Sequence, residues 1–363
     1  MLPFRPAAGV LRAVHFLDMR ASWRRLANLF VMQLEILSLQ RAAGLTTIAL
    51  ALALGPSASP LTAGDKNAKS GRHEAVVTSQ LAEKVSIVDL ISGKVTAEIA
   101  VPGKPAGVAL SPDRKIAYVT APEAKDIAVI DIDARKILKR VAVGDGPLGI
   151  AVNPKSGAIY VADWYDHRVA AIDPKSLSVS GFVKVGLSPS GLAVTPDGKL
   201  LLSADRDSHQ VSVIDTAELA VKKVVEVGKR PFGVTINAAG TRAYTANVKS
   251  DDVSVIDIQN GKTIATVKVG RRPYAVALAG SKAFVTDQYA ETISVIDLTD
   301  LKITKKIDVG AYPEGIAADA SGEYVYVACW EDNTLERINT RTLKVENQVE
   351  VPDGPRAFGD FLR

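Results

Sequence analysis

One cysteine, Cys329, stands in a chain of 363 residues. That count excludes an internal disulfide framework, a thiolate zinc cluster and a Cys-x-x-Cys-His haem attachment site. Histidine is nearly as scarce at four, methionine is held to three, and aromatic residues make up only 6%. No Gly-x-Ser-x-Gly elbow, phosphate-cradling glycine loop or zinc-protease helix motif is found, so the common catalytic signatures are missing. Net charge is small at +4, and residues 1–63 carry all of it: Arg5, Arg12, Arg20, Arg24, Arg25 and Arg41 face only Asp18 and Glu35. Beyond them acids and bases balance, which leaves nucleic acid without an electrostatic footprint and makes it an unexpected partner. The apolar run Ala42–Leu54 (AAGLTTIALALAL) is too short to span a bilayer comfortably, so no stable membrane span is expected in the mature chain.

That run has the length of a signal-peptide core. Arg41 precedes it, Gly55-Pro56 ends it, and small residues lead to a cleavage point after Ala63. The expectation is a leader over 1–63, with Met19 or Met32 as alternative starts, a linker over 64–71, and an exported chain that is periplasmic or secreted. An uncleaved anchor or a buried helix is the alternative.

Composition otherwise is that of a folded globular protein, 47% apolar and 23% charged, with 27 glycines and 18 prolines to supply turns. Prolines fall at 105, 147, 189, 231, 273, 313 and 355, a beat of 42 residues shortened once to 40. Asp89, Asp131, Asp173, Asp215, Asp257, Asp297 and Asn339 keep the same beat, each closing an apolar strand. Within a period, GVTI, RAYTAN, VSVIDI and TIATVKVG alternate with Gly/Asn/Asp turns, which predicts a four-stranded antiparallel meander. The short period has lost two residues in its first turn, ALAGSKAF replacing TINAAGTRAY, where a sheet tolerates deletion.

Such sheets cannot each bury two apolar faces alone; packed around an axis they can. The predicted fold class is therefore all-β, a seven-bladed β-propeller over 72–363. Residues before Pro105 supply three strands and residues after Pro355 one, so the C-terminal strand is expected to complete the N-terminal blade and remove an open edge.

Tyr118-Val119-Thr120-Ala121, Tyr160-Val161-Ala162-Asp163, Tyr244-Thr245-Ala246-Asn247, Phe284-Val285-Thr286-Asp287 and Tyr326-Val327-Ala328-Cys329 recur with Val-Ile-Asp endings and Val-Gly-x-x-Pro junctions. In these motifs the chain resembles the YVTN-repeat family of bacterial β-propellers. The resemblance implies the fold over roughly 72–363 and little about function, since such folds carry binding proteins, scaffolds, lactonase- or lyase-type enzymes and redox enzymes.

Propeller geometry puts the link into each inner strand and the loop after each second strand at one mouth. Residues flanking the prolines there include Arg230, Arg272 and Arg356 with Tyr312, Tyr274 and Phe232, an arginine–aromatic set suited to a small anionic ligand. Trp164 and Trp330 open the variable loops, Tyr165 and Tyr289 sit one residue later in the repeat, and all four are candidate contacts for a protein partner. His167 and His209, 42 residues apart, share a loop position with Glu83, Lys125, Asp251, Glu291 and Asn333. If the chain is an enzyme, His167, His209 and Glu291 are the candidate acids and bases. The two histidines are also weak candidates for a metal, though two exposed polar loop residues is the preferred reading. The repeated aspartates at strand ends are expected to be structural, and Cys329 to be a small buried residue. No cofactor is expected. The sequence favours a non-catalytic binding or scaffold protein, with a lactonase- or lyase-type enzyme and an accessory to a periplasmic redox system as the other readings.

Overall fold

The computed structural model describes residues 73–363. The expected leader and linker, with Met19 and Met32, lie outside these residues. Within them, strands follow one another with the predicted beat, and Pro122–Ala124 and Arg206–Ser208 form short 3-10 turns. Among the described residues no helix is long and apolar enough to cross a membrane.

Blade 5 shows the unit. Pro231–Ile236, Arg242–Asn247, Asp252–Asp257 and Lys262–Lys268 pair in chain order as an antiparallel meander. Burial falls outward along it: Arg242–Asn247 is buried on both faces after its first residue, while Lys262–Lys268 alternates. That gradient follows from packing each sheet between two others near the axis and leaving its edge wet. The two-residue deletion falls between Pro273–Ala279 and Lys282–Asp287 of blade 6, in the turn, and leaves both strands whole.

Three sequence regularities acquire physical causes here. The aspartates closing the third strands accept turn N–H groups: Asp173 Oδ1 takes those of Lys175 and Ser176, and Asp215 Oδ1 those of Ala217 and Glu218. These bonds hold both carboxyls below their ordinary range. The threonine of the Tyr-Val-Thr motif crosses between blades. Thr120 Oγ1 accepts from Gly107 N at 2.8 Å and donates to Leu148 O of the next blade at 2.7 Å; Thr286 Oγ1 donates to Glu314 O in the same way. The residue after it is a buried acceptor. Asp205 receives Gly186 N, Ser203 Oγ, Gln210 Nε2 and Ser212 Oγ, and Asp287 receives Gly270 N, Thr292 Oγ1 and Ser294 Oγ. A Cβ on Gly270 would stand 2.3 Å from the Asp287 carboxyl carbon, which is why the Val-Gly-x-x-Pro junction carries glycine. Where blade 7 has Cys329, Glu336 of the adjacent strand accepts the Gly310 N–H instead.

The ring closes through the C-terminal segment, with a detail the strand count does not convey. Residues 355–363 bond to Glu74–Ser79 of blade 1: Val76 N donates to Phe361 O, Arg356 N to Thr78 O, and Glu74 and Arg363 exchange backbone bonds. Ala75–Leu362 and Ser79–Pro355 are the antiparallel bridges. Between them the chain leans away, and Phe358–Gly359 pairs in parallel with Gly107–Val108 of blade 2. Backbone φ angles of +43° at Ala357 and +128° at Gly359 make that detour. Arg363 locks the end, with Nε 3.0 Å from Glu74 and Nη2 2.5 Å from Asp133.

Removing residues 356–363 is expected to lower the melting temperature by about 10 °C or more, since several buried backbone bonds go at once; an unchanged melt contradicts this closure. Asp205→Ala strands four donors and is expected to cost about 3 kcal/mol in urea unfolding. Asp205→Asn, with the amide that blade 5 already has at Asn247, is expected to cost much less. Burial raises the Asp205 carboxyl above its unfolded value of 3.8, so its contribution is present in acid and is lost as pH rises through the folded value. The Asn chain should therefore gain on the parent as pH rises above about 4.

Candidate functional site

Backbone bonds stitch each inner-strand link to the loop after the second strand: Trp164 N donates to Gly146 O, Arg206 N to Ser188 O, Gln288 N to Arg272 O and Trp330 N to Tyr312 O. This fixes three residue positions per blade at the mouth. One opens the loop after the second strand and carries Gln80, Trp164, Arg206, Val248, Gln288 and Trp330. One follows the proline and carries Phe232, Tyr274, Glu314 and Arg356; one precedes it and carries Arg272 and Tyr312. Together these residues line a cavity of about 370 Å³. That volume is in the range of small-molecule sites.

A chain of polar contacts crosses its floor. Arg356 Nε donates to Glu314 Oε2 at 2.7 Å, and its Nη2 donates to the Tyr274 hydroxyl. Gln288 Nε2 donates to Glu314 Oε1 at 2.7 Å, Arg272 Nε donates to Gln288 Oε1, and Arg272 Nη1 donates to the Tyr289 hydroxyl at 3.1 Å. Glu314 is 5% exposed and the Arg356 side chain 16%. Burial pushes the Glu314 carboxyl up from its usual range, against the pull of Arg356. For Arg356 burial opposes the charge, but Glu314 and Tyr274 outweigh it and raise the guanidinium further. Burial also raises the hydroxyls of Tyr274 and Tyr312 above their ordinary value.

Aromatic rings form the walls. Phe232 lies 4.4 Å from Tyr274 and 6.5 Å from Trp164 between centroids, and Tyr312 lies 5.8 Å from Trp330. The Arg206 guanidinium sits over the Trp164 ring at 5.4 Å. Burial lowers the Arg206 pKa, and repulsion from Arg230 and Arg272 adds to the effect against the pull of Asp207.

The structure thus brings together Arg272, Arg356, Tyr312, Tyr274, Phe232, Trp164 and Trp330 from the sequence set. Arg230 stands outside the lining, 3.5 Å from Asp207 through Nε. Tyr165 and Tyr289 stay on the rim, 68% and 45% exposed. Arg206, Gln288, Gln80 and Val248 were missed, although they lie on the same beat as Trp164 and Trp330 and could have been found by it.

His167, His209 and Glu291 do not line the cavity. Their position has left-handed backbone in all seven blades, with φ of 54° at His167, 57° at His209 and 56° at Glu291. In most blades its side chain accepts the N–H of the residue 21 further on. Ser188 N donates to His167 Nδ1 at 3.1 Å, Arg230 N to His209 Nδ1 at 3.2 Å, Arg272 N to Asp251 Oδ1 and Gly354 N to Asn333 Oδ1. Among the described residues no group of three His, Cys, Asp or Glu is placed to hold a metal ion. Cys329 is fully buried, which raises its thiol well above the ordinary value and leaves it a poor nucleophile.

A family model described as YNCE-like beta-propeller matches residues 60–158, and one described as NHL repeat matches residues 145–172. Both descriptions agree with the seven sheets of the described residues. The chain is a repeat-built seven-bladed β-propeller. Among solved structures, this propeller resembles Kuenenia stuttgartiensis hydrazine synthase at 19% identity and a TM-score of 0.67, over 77% of this chain and 99% of that one. It resembles a functionally unknown protein from Desulfotomaculum acetoxidans DSM 771 at 14% identity and a TM-score of 0.68, over 79% and 99%. It also resembles dihydro-heme d1 dehydrogenase NirN, solved in complex with DHE, at 15% identity and a TM-score of 0.60, over 81% and 76%. At these identities the likeness shows the fold alone. No curated protein matches the chain.

The histidine position yields a direct test. Replacing both histidines by Asn, the residue blade 7 has there, is expected to hold the melting temperature within about 2 °C, since Asn accepts the same N–H and tolerates left-handed backbone. Ala at either position is expected to cost about 1 kcal/mol through the lost bond alone.

Proposed function

We propose that this propeller is a non-catalytic binding protein that takes a small anionic ligand in its mouth cavity. One observation carries this: three arginines, Arg206, Arg272 and Arg356, line a cavity whose only acidic lining residue is Glu314. Glu314 is already bonded to Arg356 and Gln288, and Arg206 is paired at 2.8 Å with Asp207 outside the lining, so Arg272 is the cation left without a carboxylate partner among the described residues. A walled site of low dielectric strengthens its attraction for an anion. The exposed Tyr165, Tyr289, Leu81 and Leu187 lie on loops and links of the mouth face and give a protein partner apolar purchase beside the ligand. His167, His209 and Glu291 have no place in the cavity, so an acid–base mechanism through them finds no support. Export belongs to the same proposal and rests on the Ala42–Leu54 run and the small residues after it.

A thermal-shift panel tests the binding. Saturating benzoate, citrate or phosphate is expected to raise the melting temperature by a few degrees for at least one anion, with the shift shrinking in high salt. Uncharged analogues should leave it unchanged, and the Arg206→Gln/Arg272→Gln double variant should lose the shift while keeping its own melt. An equal response to charged and neutral compounds refutes the proposal. Export is tested by the intact mass of the chain from its native cell: a mature start near residue 64 supports it, and retention of residues 1–63 overturns it.

A further inference from the structure

The cavity holds more information than its charge, because its cations are set among ring faces rather than converging on a point. Phe232 and Tyr274 are 35° apart in plane with centroids 4.4 Å from each other, and Trp164 extends the same wall. Behind that wall Phe358 of the closing segment packs 5.2 Å from Phe232 and 5.5 Å from Tyr274, so the rings are backed and held. Arg206 lies over the Trp164 ring at the edge of this wall. Arg272 is pinned by Gln288 and Tyr289 through Nε and Nη1, and its Nη2 has no protein acceptor among the described residues. Arg356 spends Nε and Nη2 on Glu314 and Tyr274 and serves the floor. A compact inorganic anion would use the arginines and leave the Trp164 ring wet. Phe232 and Tyr274 are only 7% and 3% exposed, so the accessible ring surface of this wall is that of the half-buried Trp164. A flat ring laid on it would cover apolar surface at little entropic penalty, because the rings behind are already held.

We propose, resting on the anion-binding reading above, that the ligand class is a flat aromatic carboxylate. Its ring stacks on Trp164, which Phe232 and Tyr274 back from behind, and its carboxylate meets Arg206 and Arg272. Arg356 and Glu314 position the floor through Tyr274 and Gln288.

Three probes of similar size separate the elements: 2-naphthoate, with both ring and charge; adipate, with charge and no ring; and 2-naphthamide, with ring and no charge. Binding to the full propeller is measured by calorimetry, with fluorescence of Trp164 and Trp330 as a second signal. The expected result is naphthoate binding about tenfold or more tighter than either of the others. Trp164→Leu should weaken naphthoate several-fold more than adipate, and Arg272→Gln should weaken both anions. Each variant is checked first by its melt. Adipate binding as tightly as naphthoate overturns the aromatic class and leaves the anion site standing. Naphthamide binding as tightly as naphthoate overturns the anion site itself. Binding of none of the three overturns the aromatic class, and the anion panel above then decides the broader reading alone.

Discussion

Inner strands of neighbouring blades approach one another so closely that a backbone carbonyl stands where the next blade's Cβ would fall. A Cβ on Gly149 would lie 1.7 Å from Ser190 O, and one on Gly315 2.1 Å from Ala357 O. This contact around the axis is the constraint on which the rest depends. It requires a small residue two places after each proline, and it lets Thr120 and Thr286 reach the next blade's carbonyl. It also gives the last eight residues their place, because without them the inner strands of blades 1 and 2 would keep open edges. The C-terminal segment meets that demand imperfectly, pairing first with blade 1, then with blade 2, then with blade 1 again.

Tight inner packing also decides where function can reside. With the backbone at each strand start fixed by its neighbours, the residues on either side of the proline and the first residue of the adjoining loop point to the mouth. Their chemistry is free to vary because their backbone bonds do not use their own side chains. Blade 1 and blades 3 to 7 place arginine, glutamate, glutamine and aromatic rings at these positions, whereas the post-proline residue is alanine in blade 2 at Ala106 and leucine in blade 3 at Leu148. The cavity is thus lopsided on a regular frame. A buried ion pair at its floor is costly to desolvate and needs all its hydrogen bonds. Gln288 and Tyr274 supply them, which binds the floor into one unit.

Loop chemistry and loop architecture are easily confused in a repeat. His167 and His209 look like a site because imidazole is rare in this chain, yet Asp251 and Asn333 accept the corresponding N–H in other blades. The shared property is a side-chain acceptor on left-handed backbone. Conversely Arg206 looks unremarkable in the loop RDSHQ, but it stands 42 residues after Trp164 and shares its place at the cavity.

The sequence by itself determined the blade count, the strand order, the turn-capping role of Asp173 and its equivalents, and the mouth positions beside the prolines. Those are local or periodic properties: a strand alternation, a side chain reaching two or three residues ahead, a beat repeated seven times. Tertiary structure alone decided that Arg272 turns inward while Arg230 turns to Asp207, and that Glu314, 42 residues before Arg356, takes its charge. It also decided that Tyr165 and Tyr289 remain outside, and that the closing strand leans onto blade 2. Each of these depends on which neighbouring blade supplies a partner within hydrogen-bond reach. Periodicity fixes a residue's position on its own blade but carries no term for that encounter.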